Sequence, residues 1–234
     1  MNIPSSTSSN KLLSALPSEV YEHLLPHLEI VSLSLGQVLY EPDKVITEVY
    51  FPSQSMISIV ASNQGTSKPE IALVGNEGMI GLPVVLGGDS MPFFAVVQVA
   101  DSATRINAQL LKQEFDRGEQ LQKVLLLYTQ ARLTQISQTT VCLHSHTIEQ
   151  RLARWLLTIG DCLQKDTLTL TQHLLSQLLG VRRATITEAA GTLQRQGIIS
   201  YKRGQITILD RVALESRSCG CYLLMKKEFE RLIG

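Results

Sequence analysis

The chain changes its hydrophobic rhythm once, and the change divides it. Up to about residue 108, short apolar runs alternate with turn signals: Val31, Leu33 and Leu35 are spaced by serines and stop at Gly36. The run 37–40 meets Pro42, 49–51 stops at Pro52, and 56–60 leads into Asn63-Gln64-Gly65. Residues 71–74 meet Gly75-Asn76-Glu77-Gly78, and 93–99 closes the series. Short strands at roughly ten-residue spacing predict a β-sandwich or a barrel-like roll. A short helix over 18–28 precedes them.

After Asn107 the period lengthens. Residues 110–144 contain no proline and a single glycine, Gly118. Leu126, Thr129, Leu133, Ile136, Thr140 and Leu143 follow a 3-4-3-4-3 spacing, the seam of a coiled coil. Leu121, Leu125 and Tyr128 lie on an adjoining face suited to the roll. One amphipathic helix packed on its own domain is the alternative. A helix of about 25 residues outruns the face that such a roll can cover, so a homodimer is expected. Thr147-Ile148-Glu149-Gln150 reads as a capping box that restarts a helix, placing a hinge at 144–147.

Beyond the hinge, Thr171 can cap a short helix over 172–179 that carries Leu174, Leu175, Leu178 and Leu179. Gly180-Val181 supplies a tight turn. A second helix follows over 183–196, with Ile186, Ala189, Ala190 and Leu193 inward and Arg182, Arg183, Thr185 and Glu188 outward. Two helices around a glycine turn, the second presenting polar side chains at its start, form a DNA-reading unit. Gly197 ends the second helix, and 198–209 reads as a hairpin with Lys202 and Arg203 at its tip: a wing. Arginines at the helix start can fork onto guanine, and the wing cations can neutralise phosphates.

Charge sharpens this division. The formal net charge is zero. Yet residues 1–144 carry 8 Lys+Arg against 13 Asp+Glu, whereas 145–234 carry 13 against 8. The neutral average hides an acidic front and a basic back, as expected of a nucleic-acid module in the second half. Hydrophobic content of 44% is that of an ordinary globular chain. No apolar run approaches the ~18 residues of a membrane span. Residues 1–11 are rich in Ser, Thr and Asn and lack the pattern of a secretory signal, so a flexible tail and a cytoplasmic protein are expected.

Four cysteines read as reduced thiols. Cys142 and Cys162 look like small buried hydrophobes, and Cys219-Gly220-Cys221 alone falls short of a zinc or iron–sulfur set, so no metal and no cofactor are expected. Between His27 and Cys142 there is neither histidine nor cysteine. That leaves no ligand set for a metalloenzyme or for a haem- or iron–sulfur-sensing roll. His144 and His146 flank the hinge, where plain solvent exposure is expected rather than a pH or metal switch.

The order and spacing resemble the Crp/Fnr family over about residues 18–210. The segment Thr171-Gln-His-Leu-Leu-Ser-Gln-Leu-Leu-Gly-Val-Arg-Arg-Ala-Thr-Ile-Thr-Glu188 carries the likeness. The resemblance implies an α+β fold: an N-terminal cyclic-nucleotide-binding-like β-roll (a double-stranded β-helix), a long dimerisation helix and a C-terminal winged helix-turn-helix. The corresponding divisions are a tail at 1–17, the roll at 18–116, the dimer helix at 117–145, the DNA-binding domain at 146–213 and a helical extension at 214–234. Function follows as a bacterial transcription regulator, not an enzyme, that binds an inverted-repeat operator as a homodimer and engages RNA polymerase. The DNA-contacting residues would be Thr171, Gln172, Arg182, Arg183, Thr185, Glu188, Lys202 and Arg203. Arg183 matches the family's base-reading arginine and Thr185 a phosphate contact.

Two positions depart from the motif: Arg182 replaces the usual Ser or Thr cap, and Ala184 replaces a cytosine-reading glutamate. In the roll, Gly81-Leu82-Pro83 and Phe93-Phe94-Ala95 replace the family's ribose-binding acid and phosphate-binding arginine. A buried cyclic phosphate without its cation is prohibitive, so neither cyclic AMP nor cyclic GMP is expected as the effector. Leu82, Phe93 and Phe94 are left as a candidate pocket for an apolar effector, or as core. The competing readings are a protein-interaction winged helix and an effector sensor without direct promoter control.

Overall fold

The computed structural model describes residues 9–61 and 70–234. The chain forms two compact units. One takes Leu73–Ala131 and Phe229–Gly234 with the chain up to Ile59, and the other takes Arg132–Glu228 with Val60–Ala72.

Ahead of the long helix the chain forms strands β1 (Glu29–Leu33), β2 (Val38–Tyr40), β3 (Glu48–Pro52), β4 (Met56–Ala61), β5 (Glu70–Val74), β6 (Phe93–Val99) and β7 (Asp101–Asn107). They form two sheets, ordered β1-β7-β3 and β2-β6-β4-β5. Leu33, Val49, Phe51, Ala103 and Ile106 from the first sheet share one buried cluster with Tyr40, Ile57, Val74, Ala95 and Val97 from the second. Two inner faces closing on a common core make the expected roll. The turn expected at Asn63-Gln64-Gly65 lies outside the described residues.

Sequence reading ended the strands at Val99 and missed β7. Its residues, Asp101-Ser-Ala-Thr-Arg-Ile-Asn107, are mostly polar, yet β7 is the central strand of its sheet, pairing Thr104 with both Ile30 and Phe51. Only Ala103, Thr104 and Ile106 are buried. Ladder hydrogen bonds to two neighbours, not hydrophobicity, fix this strand.

The expected tail at 1–17 also needs correction where it is described. Helix α1 (Lys11–Ser14) is capped by Asn10 and buries Leu12 and Leu13. The fully buried Asn10 amide donates to the carbonyls of Pro52 and Gly78, 2.8 Å each. Two apolar side chains among serines carry no readable period, but a saturated buried amide pins the segment. Helix α2 (Ser18–Leu24) continues into a 3-10 turn, Leu25–His27.

Short helix α3 (Leu82–Val85) and helix α4 (Ala108–Asp116) complete this part, α4 capped by the Asn107 side chain. Helix α5 (Gln120–Ser145) follows. Leu121, Leu125 and Tyr128 join the roll's core, as their spacing predicts. The Tyr128 hydroxyl accepts from the Met79 amide at 3.0 Å and donates to its carbonyl at 3.1 Å. A Cβ on Gly78 would stand 2.3 Å from that hydroxyl oxygen, so only glycine admits the ring. This packing extends the first unit to Ala131, inside α5, beyond the end expected at residue 116.

After α5 come α6 (Ile148–Leu163), β8 (Thr167–Thr169), α7 (Gln172–Leu179), α8 (Arg183–Arg195), β9 (Ile199–Lys202), β10 (Gln205–Ile208), α9 (Arg211–Arg217) and α10 (Cys221–Ile233), in the second unit up to Glu228. The capping box is formed: Thr147 and Gln150 each accept from the other's backbone N–H. α5 and α6 are therefore separate helices, with His146 and Thr147 between them. Leu152, Leu156 and Leu157 of α6 are fully buried, as are Leu175 of α7 and Ile186 and Leu193 of α8.

Candidate nucleic-acid interface

Thr171 accepts from the Leu174 amide at 3.1 Å and so starts α7. Gly180 ends it at φ +65°, a left-handed conformation that glycine adopts without strain. The chain then re-enters α8 at Arg182, whose side chain makes no cap hydrogen bond. The positive end of the α8 dipole is left without a capping oxygen, which favours an approaching anion.

Ile186, Ala189, Ala190 and Leu193 of α8 are buried. Arg182, Arg183 and Glu188 are exposed and Thr185 is half-buried, so the start of α8 presents the side chains expected of it. The wing is a two-residue hairpin with Arg203 at φ +50° and Gly204 at φ +78°, the turn that matches strand twist. Lys202 and Arg203 are both exposed.

Tertiary structure brings wing and helices together. β8, which sequence reading missed, pairs with β10 and makes the wing three-stranded. The Leu170 amide donates to the Gly204 carbonyl at 2.7 Å, placing the wing turn beside the α7 cap at Thr171. The Tyr201 hydroxyl donates to the Leu170 carbonyl at 3.0 Å. Burial raises the Tyr201 pKa, and the nearby positive charge of Arg183 opposes that rise.

Other cations are turned away. Arg211 pairs with Asp161 and with Glu215, and its guanidinium donates to the Tyr222 hydroxyl at 2.8 Å. It clamps α9 to α6 within the second unit. Arg195 donates to Thr192 at 3.0 Å on its own helix. Arg151, a buried cation of α6 that sequence reading passed over, donates to the Leu179 carbonyl at 2.7 Å. It holds the last turn of α7, and burial lowers its pKa.

On α5, Leu126, Leu133, Ile136 and Leu143 are 49%, 62%, 40% and 50% exposed in the single chain. Thr129 and Thr140 donate their hydroxyls to the carbonyls of Leu125 and Ile136 at 2.8 and 3.2 Å. Each threonine's donor is satisfied within the helix, so its methyl can face an apolar partner.

In the roll, Leu82 packs against the core, and Phe93 and Phe94 are half-buried on β6. An open cleft of about 340 Å³ is lined by Tyr40, Glu41, Lys44, Glu48 and Tyr50 among others. None of Leu82, Phe93 and Phe94 lines it.

The reading of the cysteines needs a larger correction. Cys142, taken as a lone hydrophobe, and Cys219 and Cys221, taken as an isolated pair, converge with His146. One ligand atom from each lies within 4.8 Å of all the others. Their separation by some 75 residues hid the cluster, because only the packing of α9 and α10 brings them together. Cys162 is buried elsewhere, in α6.

The sequence of residues 150–217 matches the Crp-like helix-turn-helix domain family. No protein of curated function matches the chain by sequence. Among solved structures, FixK2 from Bradyrhizobium japonicum superposes with a TM-score of 0.70 at 18% identity, over 82% of this chain and 98% of its own. A Crp/Fnr-family transcriptional regulator from Eubacterium rectale gives 0.66 at 17% identity, over 89% and 97%. The c-di-GMP-responsive global regulator CLP of Xanthomonas campestris gives 0.66 at 14%, over 82% and 99%. Residues 150–217 are thus similar to Crp-like helix-turn-helix domains, and the chain shares the fold of these solved structures.

Proposed function

We propose that the chain binds an inverted-repeat operator as a two-fold homodimer, reading each half-site with the start of α8. The observation that carries this is the set of exposed cations Arg182, Arg183, Lys202 and Arg203 at the start of α8 and on the wing, beside the Thr171-capped α7. Arg183 is assigned to a base edge, since a planar fork at a helix start matches guanine. Glu188 accepts from a cytosine amino group. Thr171, Gln172, Thr185, Lys202 and Arg203 take phosphates, and Arg182, without a cap bond, joins them. Two-fold symmetry sets the half-sites about one helical turn apart.

The dimer forms through Leu126, Thr129, Leu133, Ile136, Thr140 and Leu143. Cyclic AMP and cyclic GMP are not effectors, because Leu82 and Phe93 offer neither an acid for ribose nor a cation for phosphate. RNA polymerase is the partner at the promoter, and the cytoplasm is the place of action. No helix among the described residues is long and apolar enough to cross a membrane.

In-vitro selection from random duplex DNA, followed by binding measurements, tests the reading. An enriched inverted repeat is expected. Arg183→Ala should weaken the selected site by about 1–3 kcal/mol and relax one base pair per half-site. Failure to enrich any duplex would refute the proposal and favour a protein-binding winged helix.

A further inference from the structure

The second unit holds a cluster that the DNA-binding reading does not use. Cys142 and His146 sit one helical turn apart, Cys142 on the last turn of α5 and His146 just beyond its end. Cys219 stands between α9 and α10, and Cys221 is the first residue of α10. Cys142, Cys219 and Cys221 are buried, and Met225 closes the apolar side. The sulfurs of Cys142 and Cys219 are 3.5 Å apart, and the sulfur of Cys221 is 3.5 Å from Nδ1 of His146.

We propose that Cys142, His146, Cys219 and Cys221 bind one zinc ion as a structural site. Geometry selects it. Tetrahedral zinc with its usual bond lengths sets ligand sulfurs about 3.8 Å apart and a sulfur and a nitrogen about 3.6 Å apart. The two 3.5 Å separations lie close to those spacings. Ligand atoms all within 4.8 Å of one another enclose a single ion, not a polynuclear cluster with its sulfurs spread around it. Three thiolates and an imidazole form a closed, soft donor set, which disfavours magnesium or calcium.

The surroundings fit as well. The Gln138 amide donates to the Cys221 sulfur at 3.1 Å, the kind of outer hydrogen bond that orients a thiolate ligand. Binding releases the three thiol protons to solvent. A divalent ion with three thiolates and a neutral imidazole leaves one net negative charge. The ion would tie the end of α5 to the α9–α10 junction.

The test uses the full chain purified under reducing conditions and passed over chelating resin. Elemental analysis should find one zinc per chain. Replacement by cobalt(II) should give the strong visible bands of a tetrahedral thiolate complex. Cys219→Ser and Cys221→Ser should each weaken zinc binding by at least about a hundredfold, and Gln138→Ala by roughly tenfold. Cys162→Ala should retain full metal content. Circular dichroism of each variant separates ligand loss from unfolding, and the wild-type stoichiometry needs no variant at all. Wild-type protein that binds no stoichiometric zinc would overturn the proposal, whether its thiols are free or Cys142 and Cys219 are oxidised to a disulfide. Iron in place of zinc, or equal loss in Cys162→Ala and Cys219→Ser, would overturn it too.

Discussion

Replacing Leu133 and Ile136 together by glutamate addresses the dimer seam directly. In the single chain these side chains are 62% and 40% exposed, so about half of each remains to be buried by a partner. Full burial of a leucine or isoleucine stabilises by about 1.5–3 kcal/mol, so the remaining half is worth about 0.8–1.5 kcal/mol. A two-fold dimer contains four such side chains, giving about 3–6 kcal/mol lost before charge is counted. That loss weakens association by about a hundredfold to ten-thousandfold. Four carboxylates facing one another across the seam add repulsion, which salt reduces.

Sedimentation velocity across nanomolar to high micromolar concentrations reads this directly. The wild type should sediment as a dimer and the double variant as a monomer, with unchanged helicity by circular dichroism. A double variant that dimerises as tightly as the wild type would show that the seam lies elsewhere. A wild type that is monomeric at micromolar concentration would refute the dimer altogether.

Other expectations are independent of the seam. Removing both Lys202 and Arg203 deletes four phosphate contacts per dimer, so the slope of log affinity against log salt should fall by about 3–4 in DNA-binding titrations. An unchanged slope would mean that the wing does not touch the backbone. Tyr128→Phe leaves the buried Met79 amide and carbonyl unpaired, and urea unfolding should show about 2–4 kcal/mol of destabilisation. A change within 0–0.5 kcal/mol, roughly the range of a surface substitution, would exclude that pairing in solution. Calorimetric titration with millimolar cyclic AMP or cyclic GMP should show no saturable heat, and a micromolar dissociation constant would refute the assignment of Leu82 and Phe93.

Local signals decided the parts of this protein whose determinants are close in sequence. The Thr171 cap, the Gly180 turn, the buried period Ile186-Ala189-Ala190-Leu193 and the Arg203-Gly204 hairpin act within a few residues of one another. The capping box at Thr147 and Gln150 and the heptad spacing of α5 are local in the same sense. Each could be read directly, because capping and amphipathic burial depend on spacings of two to four residues.

Tertiary structure alone decided what depends on distant partners. β7 is polar and became a strand only because β1 and β3 supply hydrogen bonds on both sides. Asn10 became a core residue because Pro52 and Gly78 offer it two carbonyls. Arg211 left the basic surface because Asp161 and Tyr222 reach it. Cys142, His146, Cys219 and Cys221 form one cluster only once α9 and α10 have folded back beside the end of α5. A linear pattern records which face of an element is apolar, but not which remote donor, acceptor or thiol will come to lie within a few ångströms of it.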